Sequence, residues 1–266
     1  MGETITVTTC QVCLSKNALV PGSEARSASW IKDQLQELWD ININPEDFAK
    51  LPPQLFSMVC SNCGSIELPQ IQGSSSFYKS CHSSEKYSRS STWDYSYIEK
   101  KLGTGKKVLD VGVGDCKFSE SFIRKNEVTG LDIDVEVLVR NSLRGVLPLS
   151  DLDETQEKFD YVHVSHFLEH IEQPRLLLIS LQKVLAPEGI LSVSVPDGSK
   201  SSALDGPLGW PPHHLFAYSK MGLSLALRDL GFKKIRIKQP KISRELRTRF
   251  HFNERVFDFM ISGRFG

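Results

Sequence analysis

Four of the six cysteines stand in two C-x-x-C pairs, Cys10 with Cys13 and Cys60 with Cys63. Each pair presents two thiolates from one tight turn, and two such turns complete a tetrahedral ligand set for zinc. The chain opens without the charged and hydrophobic segments of a secretion signal, so the pairs favour a metal over disulfides. We predict a closed, structural zinc site and a reducing, cytoplasmic location, with four unliganded thiols as the alternative.

A second chemical pattern is a glycine turn that runs from Asp110 through Gly112 and Gly114. Two close glycines let the backbone turn sharply and approach a ligand, and a helix after the turn offers its N–H groups. Cys116 replaces the third glycine of the dinucleotide fingerprint, which counts against NAD. Asp132 follows some twenty residues later, at the end of the next predicted strand, where a carboxylate accepts both hydroxyls of a ribose. The pattern predicts a site for a nucleoside.

Two histidine clusters can supply a general base, the side chain that takes a proton from a reacting group. One is the pair His213 and His214, which follows two prolines. The other comprises His166, Glu169 and His170, spelled H-x-x-E-H, which mimics an inverted zinc-protease motif. Its place at the end of a predicted strand argues against a protease.

Strands and helices alternate from Lys106 onward, which is typical of an α/β fold with a parallel sheet covered by helices. We predict a zinc-binding domain over residues 1–75, a helical lid or linker over 76–104 and the α/β domain over 105–266. The predicted strands are Thr4–Thr9, Leu55–Val59, Lys107–Val111, Val128–Asp132, Gly145–Pro148, Phe159–Ser165, Gly189–Val195, Phe232–Lys238 and Val256–Ser262. The predicted helices are Ser27–Asp40, Trp93–Leu102, Lys117–Lys125, Val135–Leu143, Pro174–Leu185 and Lys220–Leu230, the last capped by Ser219 and ended by Gly231.

The runs VLDVGVGDCKF, TGLDID and FDYVHVSHFLEHIEQPRLLLISLQKVLAPEGILSVSVPD resemble the class I S-adenosylmethionine-dependent methyltransferases over about residues 106–235. The resemblance implies a Rossmann-like sheet, mostly parallel with an antiparallel last strand, and S-adenosylmethionine as the cofactor. It also implies a role for individual side chains. Asp110, Gly112 and Gly114 would line the methionine end, Asp132 would bind the ribose, Ile133 would pack on the adenine, Asp151 would meet the adenine amino group, and Ser165 would lie beside the cofactor.

A zinc-knuckle module ahead of such a domain resembles the sugar C-methyltransferases of antibiotic pathways, in which the module helps to cover the substrate cleft. The interval between the cysteine pairs is longer than in a compact knuckle, although loop-closure cost grows only logarithmically with length. The loop WPPHHLFAYSKMGLSLALRDLGF is also similar to that family, which implies that His213 or His214 faces the acceptor while the other hydrogen-bonds the loop.

Two tyrosines fall in the predicted lid. Tyr78 is a candidate catalytic residue and Tyr87 a candidate cofactor contact, with simple packing as the alternative for both. In the ubiquinone-pathway O-methyltransferases, the stretch that corresponds to His166, Glu169 and His170 is proposed to hold a divalent cation. These three side chains would do likewise, or Glu169 and His170 would cap the local turn.

The composition narrows the range of partners. The chain has 266 residues, a formal net charge of zero and no apolar run long enough to cross a membrane. A dedicated nucleic-acid binder shows a basic excess, so nucleic acid is a poor first expectation. We expect methyl transfer to carbon or oxygen of a small acceptor that is sugar-like or a secondary metabolite. An RNA or protein methyltransferase and a non-catalytic interaction protein are the alternatives, and the oligomeric state stays open.

Overall fold

A computed structural model describes residues 9–87, 93–240 and 258–266 of the chain, which divides into two compact units. The first unit combines the described residues of Met1–Arg89 with Glu169–Arg175 and Asp197–Ala226. The second combines those of Ser90–Leu168, Leu176–Pro196 and Leu227–Gly266. The domain boundaries predicted from the sequence, at 75/76 and 104/105, stay predictions.

The second unit is built on a seven-stranded sheet with the order β10-β11-β8-β7-β4-β5-β6. Neighbouring strands among β6, β5, β4, β7 and β8 run parallel, whereas β11 runs antiparallel to both β8 and β10. The predicted α/β class, mostly parallel with an antiparallel last strand, is therefore confirmed. The strands are β4 (Lys107–Val111), β5 (Glu127–Leu131), β6 (Leu147–Leu149), β7 (Phe159–Ser165), β8 (Leu185–Pro196), β10 (Lys233–Lys238) and β11 (Asp258–Arg264).

Helices follow the strands of this sheet and account for its burial. The central strands carry near-continuous apolar runs, as strands covered on both faces do, and Val108, Val162 and Val193 are completely buried. The helix that begins at Lys220 ends just before Gly231, as predicted. Gly231 adopts φ 84° and donates its N–H to the Arg228 carbonyl at 2.9 Å, which terminates the helix. The helices of this unit are α4 (Trp93–Leu102), α5 (Glu120–Ile123), α6 (Val135–Ser142) and most of α7 (Pro174–Val184), whereas most of α8 (Lys220–Asp229) belongs to the first unit.

The first unit contains a four-stranded antiparallel sheet with the order β1-β2-β3-β9. Its strands are β1 (Leu19–Ser27), β2 (Gln54–Cys60), β3 (Ile66–Glu67) and β9 (Phe216–Ala217), and its helices are α1 (Ala28–Trp39), α2 (Pro45–Ala49) and α3 (Ser75–Ser83). Ile31 and Leu35 of α1 pack in one apolar core with Leu55, Phe77 and Trp210. This core joins segments that are far apart in the sequence.

The sequence did not predict β1. Pro21 and Gly22 interrupt it, and no alternation of apolar side chains marks the strand. The predicted strand Thr4–Thr9 lies almost wholly outside the described residues, and so does the start of the predicted strand Val256–Ser262. Within the described ranges, no helix is both long enough and apolar enough to cross a bilayer.

Candidate functional site

The glycine turn leaves the carboxyl end of β4, the strand at which the order of the sheet reverses. β4 lies between β5 and β7, and open α/β sheets bind their ligands at such a switch point. Gly112 has φ 66°, and a Cβ there would lie 2.4 Å from the Phe167 ring, so both the conformation and the space require glycine. Gly114 has φ 46°.

Asp132 follows β5 and joins the glycine turn directly. Its Oδ2 accepts the Gly114 N–H at 3.1 Å and its Oδ1 accepts the Asp134 N–H at 3.0 Å. The N–H groups of Gly112 and Val113 both donate to the last carbonyl of β5, at 2.9 and 3.1 Å. The glycine turn and Asp132, which were predicted to bind one cofactor, therefore lie together at one edge of the sheet.

Side chains, rather than a helix, hold the rest of the turn. The predicted helix Lys117–Lys125 is wrong in extent, because α5 contains only Glu120–Ile123 and Ser119 caps it. The Arg144 guanidinium donates to the carbonyls of Asp115, Cys116 and Phe118 at 2.9–3.2 Å. The Arg144 side chain therefore holds the segment between the glycine turn and α5, and the helix begins at Glu120 rather than at Lys117.

Three further predicted cofactor residues lie at the same edge of the sheet or on the loops that leave it. Ile133 follows Asp132 and is 78% exposed. Asp151 follows β6, is exposed, and accepts the Asp153 N–H at 2.9 Å. Ser165 is the last residue of β7. Their contacts with a cofactor stay predictions.

A buried polar network that sequence reasoning missed ties the ends of β4 and β7 to α4. The Tyr95 hydroxyl donates to Asp110 at 3.2 Å. Asp94 Oδ2 accepts the Ser165 hydroxyl at 2.8 Å and lies 3.2 Å from His163 Nε2. Asp94, Asp110 and His163 are completely buried. An acidic residue beside a tyrosine in the first turn of α4 was the available signal, but no spacing links α4 to these strands.

The pKa values of the two buried carboxyl groups of this network, Asp94 and Asp110, are shifted in opposite directions. Burial, the largest effect, raises the pKa of Asp110 to about 7, since the charged form loses water. Burial also acts on Asp94, but hydrogen bonding and the charge of His163 outweigh it and hold the pKa of Asp94 below its usual range. Asp94 is therefore the charged member of the pair near neutral pH.

The two C-x-x-C pairs fold into matching turns in the first unit. Leu14 donates its N–H to the Cys10 carbonyl at 2.9 Å, and Gly64 donates to the Cys60 carbonyl at 2.8 Å. Both residues after the pairs adopt positive φ, 59° for Leu14 and 71° for Gly64. The same backbone turn thus presents both pairs of thiols.

The four thiols converge as ligands of one metal ion would. Cys10 Sγ lies 3.9 Å from Cys63 Sγ, and Cys13 Sγ lies 3.7 Å from Cys60 Sγ. All four sulfur atoms lie within 4.8 Å of one another, and all four cysteines are free of disulfides. A tetrahedron with Zn–S bonds of about 2.3 Å has edges of about 3.8 Å, so the donor set suits zinc.

Ser219 connects the second knuckle to α8. Its hydroxyl accepts the Gly222 N–H at 2.8 Å, which confirms the predicted N-cap. The same hydroxyl donates to the Cys63 carbonyl. The knuckle and the helix therefore share one side chain.

The loop of residues 211–214, called the histidine loop, packs His213 and His214 against His170 in the first unit. His213 Nδ1 donates to the Leu208 carbonyl at 2.7 Å, and its Nε2 accepts the Tyr87 hydroxyl at 2.9 Å. His214 is half-buried, with Nε2 3.9 Å from Glu169 Oε1. His213 has the loop-bonding position that was expected for one of the two histidines. His166 belongs to the second unit, apart from Glu169 and His170 in the first.

Both tyrosines singled out in the sequence contact His213. The Tyr78 hydroxyl donates to the His213 carbonyl at 3.3 Å, and its ring meets His170 edge-on at 5.4 Å. Burial raises the pKa of Tyr78, so the side chain stays a phenol at neutral pH. The catalytic role of Tyr78 and the cofactor role of Tyr87 stay predictions.

Comparison with known proteins identifies a family for the part of the chain that contains most of the seven-stranded sheet and the histidine loop. The family described as "Methyltransferase domain" matches residues 90–237. The Ubiquinone biosynthesis O-methyltransferase of Proteus mirabilis is 34% identical over 121 residues, 40% of this chain and 49% of that protein. The mitochondrial Ubiquinone biosynthesis O-methyltransferase of Schizosaccharomyces pombe is 34% identical over 114 residues, 37% of this chain and 40% of that protein. The chain therefore spans about half the length, or less, of these curated relatives.

A solved structure supports the fold. A SAM-dependent methyltransferase from Thermotoga maritima superposes with a TM-score of 0.51 at 16% identity, covering 65% of this chain and 87% of that one. At this identity the likeness concerns the fold alone. The family match covers more than half of the chain and includes the glycine turn and Asp132, so the chain belongs to the methyltransferase-domain family.

Proposed function

We propose that the protein is an S-adenosylmethionine-dependent methyltransferase that acts on carbon or oxygen of a small molecule. One observation carries the proposal: Gly112, Gly114 and Asp132 form a single hydrogen-bonded constellation at the switch point of the sheet. A ribose hydroxyl pair needs a carboxylate at the end of the second strand, and a close approach of cofactor to backbone needs glycine.

The remaining cofactor contacts are proposed from their places in the second unit. Asp132 would accept the ribose hydroxyls, the exposed Ile133 would cover one face of the adenine, and Asp151 would meet the adenine amino group. Asp110, held by Tyr95, and Ser165, held by Asp94, would border the methionine end. The buried network fixes both of these side chains before a ligand arrives, which lowers the cost of binding.

The bound cofactor supplies a methyl group on a positively charged sulfur. In the transfer, the acceptor atom forms a bond to the methyl carbon while the sulfur–carbon bond breaks and the sulfur keeps the electron pair. The chain has to align the acceptor and take up the proton that the acceptor loses. We place the acceptor chemistry on the histidine loop, with His213, His214 and Tyr78 as its predicted residues.

Zinc is proposed for the four thiols of the first unit, in a structural role. All four ligand positions would be protein sulfur, which leaves no position open for a substrate. The names of the curated relatives favour a small acceptor, since they are O-methyltransferases of ubiquinone biosynthesis. A sugar-like or secondary-metabolite acceptor is the more specific proposal.

An RNA or protein methyltransferase that uses the zinc module for recognition, and a non-catalytic interaction protein, are the competing functions. The formal net charge of zero disfavours RNA, whose binding depends on neutralising phosphates. Release of S-adenosylhomocysteine from S-adenosylmethionine should be measured with panels of catechols, phenols and sugar nucleotides, and with total RNA and protein. We expect turnover with a small molecule. Turnover confined to RNA or protein would contradict the proposal.

A further inference from the structure

Three histidines converge in the first unit although they come from two separate segments of the chain. One ring nitrogen of each of His170, His213 and His214 lies within 4.8 Å of the corresponding atoms of the other two. Their ring centroids are 4.4–4.9 Å apart. Imidazole nitrogens from separate segments that lie this close together form a candidate donor set for one cation.

The hydrogen bonds of two of these rings select the nitrogen that carries the lone pair. His170 Nδ1 donates to the His213 carbonyl at 2.5 Å, and His213 Nδ1 donates to the Leu208 carbonyl at 2.7 Å. A backbone carbonyl oxygen accepts a hydrogen bond only from a protonated ring nitrogen, so Nδ1 carries the proton in both rings. The lone pair of each ring is therefore on Nε2. Histidines that bind metals are fixed in this way, with the other ring N–H donated to a carbonyl or carboxylate.

The loop that carries two of the rings is itself well fixed. The N–H groups of His213 and His214 both donate to the Trp210 carbonyl, at 3.0 and 3.1 Å, and Leu215 donates to the Glu169 carbonyl at 2.8 Å. His170 and His213 are buried, and the Glu169 carboxylate is buried 3.9 Å from His214 Nε2. A buried carboxyl group beside the rings adds oxygen atoms close to the nitrogens that would hold a cation.

We propose that His170, His213 and His214 form a second metal site, for a divalent first-row transition ion, separate from the four cysteines. Imidazole nitrogen suits zinc, iron, nickel and copper, whereas magnesium and calcium prefer oxygen ligands. Three protein ligands leave at least one coordination position open, as in catalytic rather than structural sites. The ion would stabilise a deprotonated acceptor oxygen, so His213 and His214 would then serve the acceptor as metal ligands rather than as bases; this last role rests on the proposed function.

Metal binding at this site has a competitor in the chain. The Tyr87 hydroxyl donates to His213 Nε2 at 2.9 Å, the nitrogen that the metal would use. The ion must therefore displace this hydroxyl. Replacement of Tyr87 by phenylalanine removes the competing hydrogen bond and should tighten metal binding several-fold.

Cobalt(II) is the probe, because it reports thiolate and imidazole ligands separately in the absorption spectrum. The full chain, stripped of metal with a chelator, should bind two equivalents, one with the strong charge-transfer band of thiolate and one with only weak visible bands. His170→Gln and His214→Gln should each abolish the second equivalent and keep the first. The thiolate band also shows that the first unit is folded in each variant.

His82 offers a matched control, since it is an exposed histidine of α3 outside the group. His82→Gln should keep both equivalents. A wild-type chain that binds one equivalent only, or a second equivalent that survives both His170→Gln and His214→Gln, would overturn the site. Unchanged affinity in Tyr87→Phe would overturn the assignment of His213 Nε2. No step of this test involves S-adenosylmethionine, so its outcome is independent of the proposed function.

Discussion

At the level of single residues, some positions of the proposed cofactor site could be predicted from the sequence and others could not. Asp132 was predictable because an acidic residue at the end of the second strand of such a unit has one recognisable purpose. Asp94 and His163 were not, because their pairing joins residues 69 apart through a helix with no motif. A local pattern reveals a residue whose partner is the ligand, but not one whose partner is another distant side chain.

Asp110 gives a prediction about pH. Its pKa is raised from 3.8 to about 7 by burial, so its contribution to stability is fully present below pH 3.8 and is lost as the pH rises through about 7. Asp110→Asn cannot ionise, so it should lose less stability than the wild type between pH 5 and pH 8. The difference should be on the order of 1–3 kcal/mol in the free energy of unfolding.

Urea titrations of both proteins at pH 5 and pH 8 measure this difference, and the subtraction removes the groups that the two share. Equal losses of stability in wild type and variant would mean that Asp110 is ionised throughout this range.

At the scale of elements, the strands and helices of the second unit were largely predictable. β7 and α4 have the predicted ends, Phe159–Ser165 and Trp93–Leu102. Continuous apolar runs and amphipathic segments determine such elements locally. α5 was predicted too long: the prediction ran from Lys117 to Lys125, whereas the helix begins at Glu120 after the Ser119 cap and ends at Ile123. β1 was missed because its pairing with β2, rather than its own pattern, makes it a strand.

The glycine turn yields a prediction with a built-in control. Gly103 has φ 80° with nothing within 4 Å of an added Cβ, whereas Gly112 has φ 66° and a Cβ there would clash with Phe167. Gly103→Ala should cost about 1 kcal/mol from backbone strain alone. Gly112→Ala should cost a further 1–3 kcal/mol from overpacking and should weaken cofactor binding.

Thermal unfolding and calorimetry of both variants provide the measurement. Equal destabilisation of the two variants would show that the Phe167 ring does not exclude a Cβ at residue 112.

The paired knuckles predict one zinc ion per chain at the thiols. Cys60→Ser with Cys63→Ser should remove it and lower the stability of the first unit, since structural zinc contributes folding free energy. Cys81 is a free, buried cysteine outside this ligand set, so Cys81→Ala should keep the zinc. Elemental analysis of the purified proteins decides. Zinc that persists at the wild-type level in the double variant would place the ion elsewhere.

At the scale of the whole molecule, the sequence predicted the fold of the second unit better than the construction of the first. The first unit combines the N-terminal part of the chain with two later segments, Glu169–Arg175 and Asp197–Ala226. In the sequence, both later segments lie between strands of the seven-stranded sheet. No local periodicity in the sequence predicts that the segment after β8, which contains Ser219, packs with the cysteine knuckles. The histidine group of the first unit follows from that chain path, and the sequence alone assigned its members to two different clusters.

The edge formed by β4 and β5 is proposed to bind S-adenosylmethionine through Asp132. Isothermal titration calorimetry with S-adenosylmethionine and with S-adenosylhomocysteine measures this binding. Wild type should bind both at one site per chain. Asp132→Ala should weaken binding by about 100-fold or more, because charge-assisted hydrogen bonds to both ribose hydroxyls are lost.

Asp134→Asn is the matched control, since asparagine preserves the cap that Asp134 provides to α6 and should leave affinity within about two- to threefold of wild type. Circular dichroism should show all three proteins folded. Heat from the wild type that disappears in Asp132→Ala and persists in Asp134→Asn is the predicted result. No heat from the folded wild type, or equal affinity in Asp132→Ala, would contradict the account.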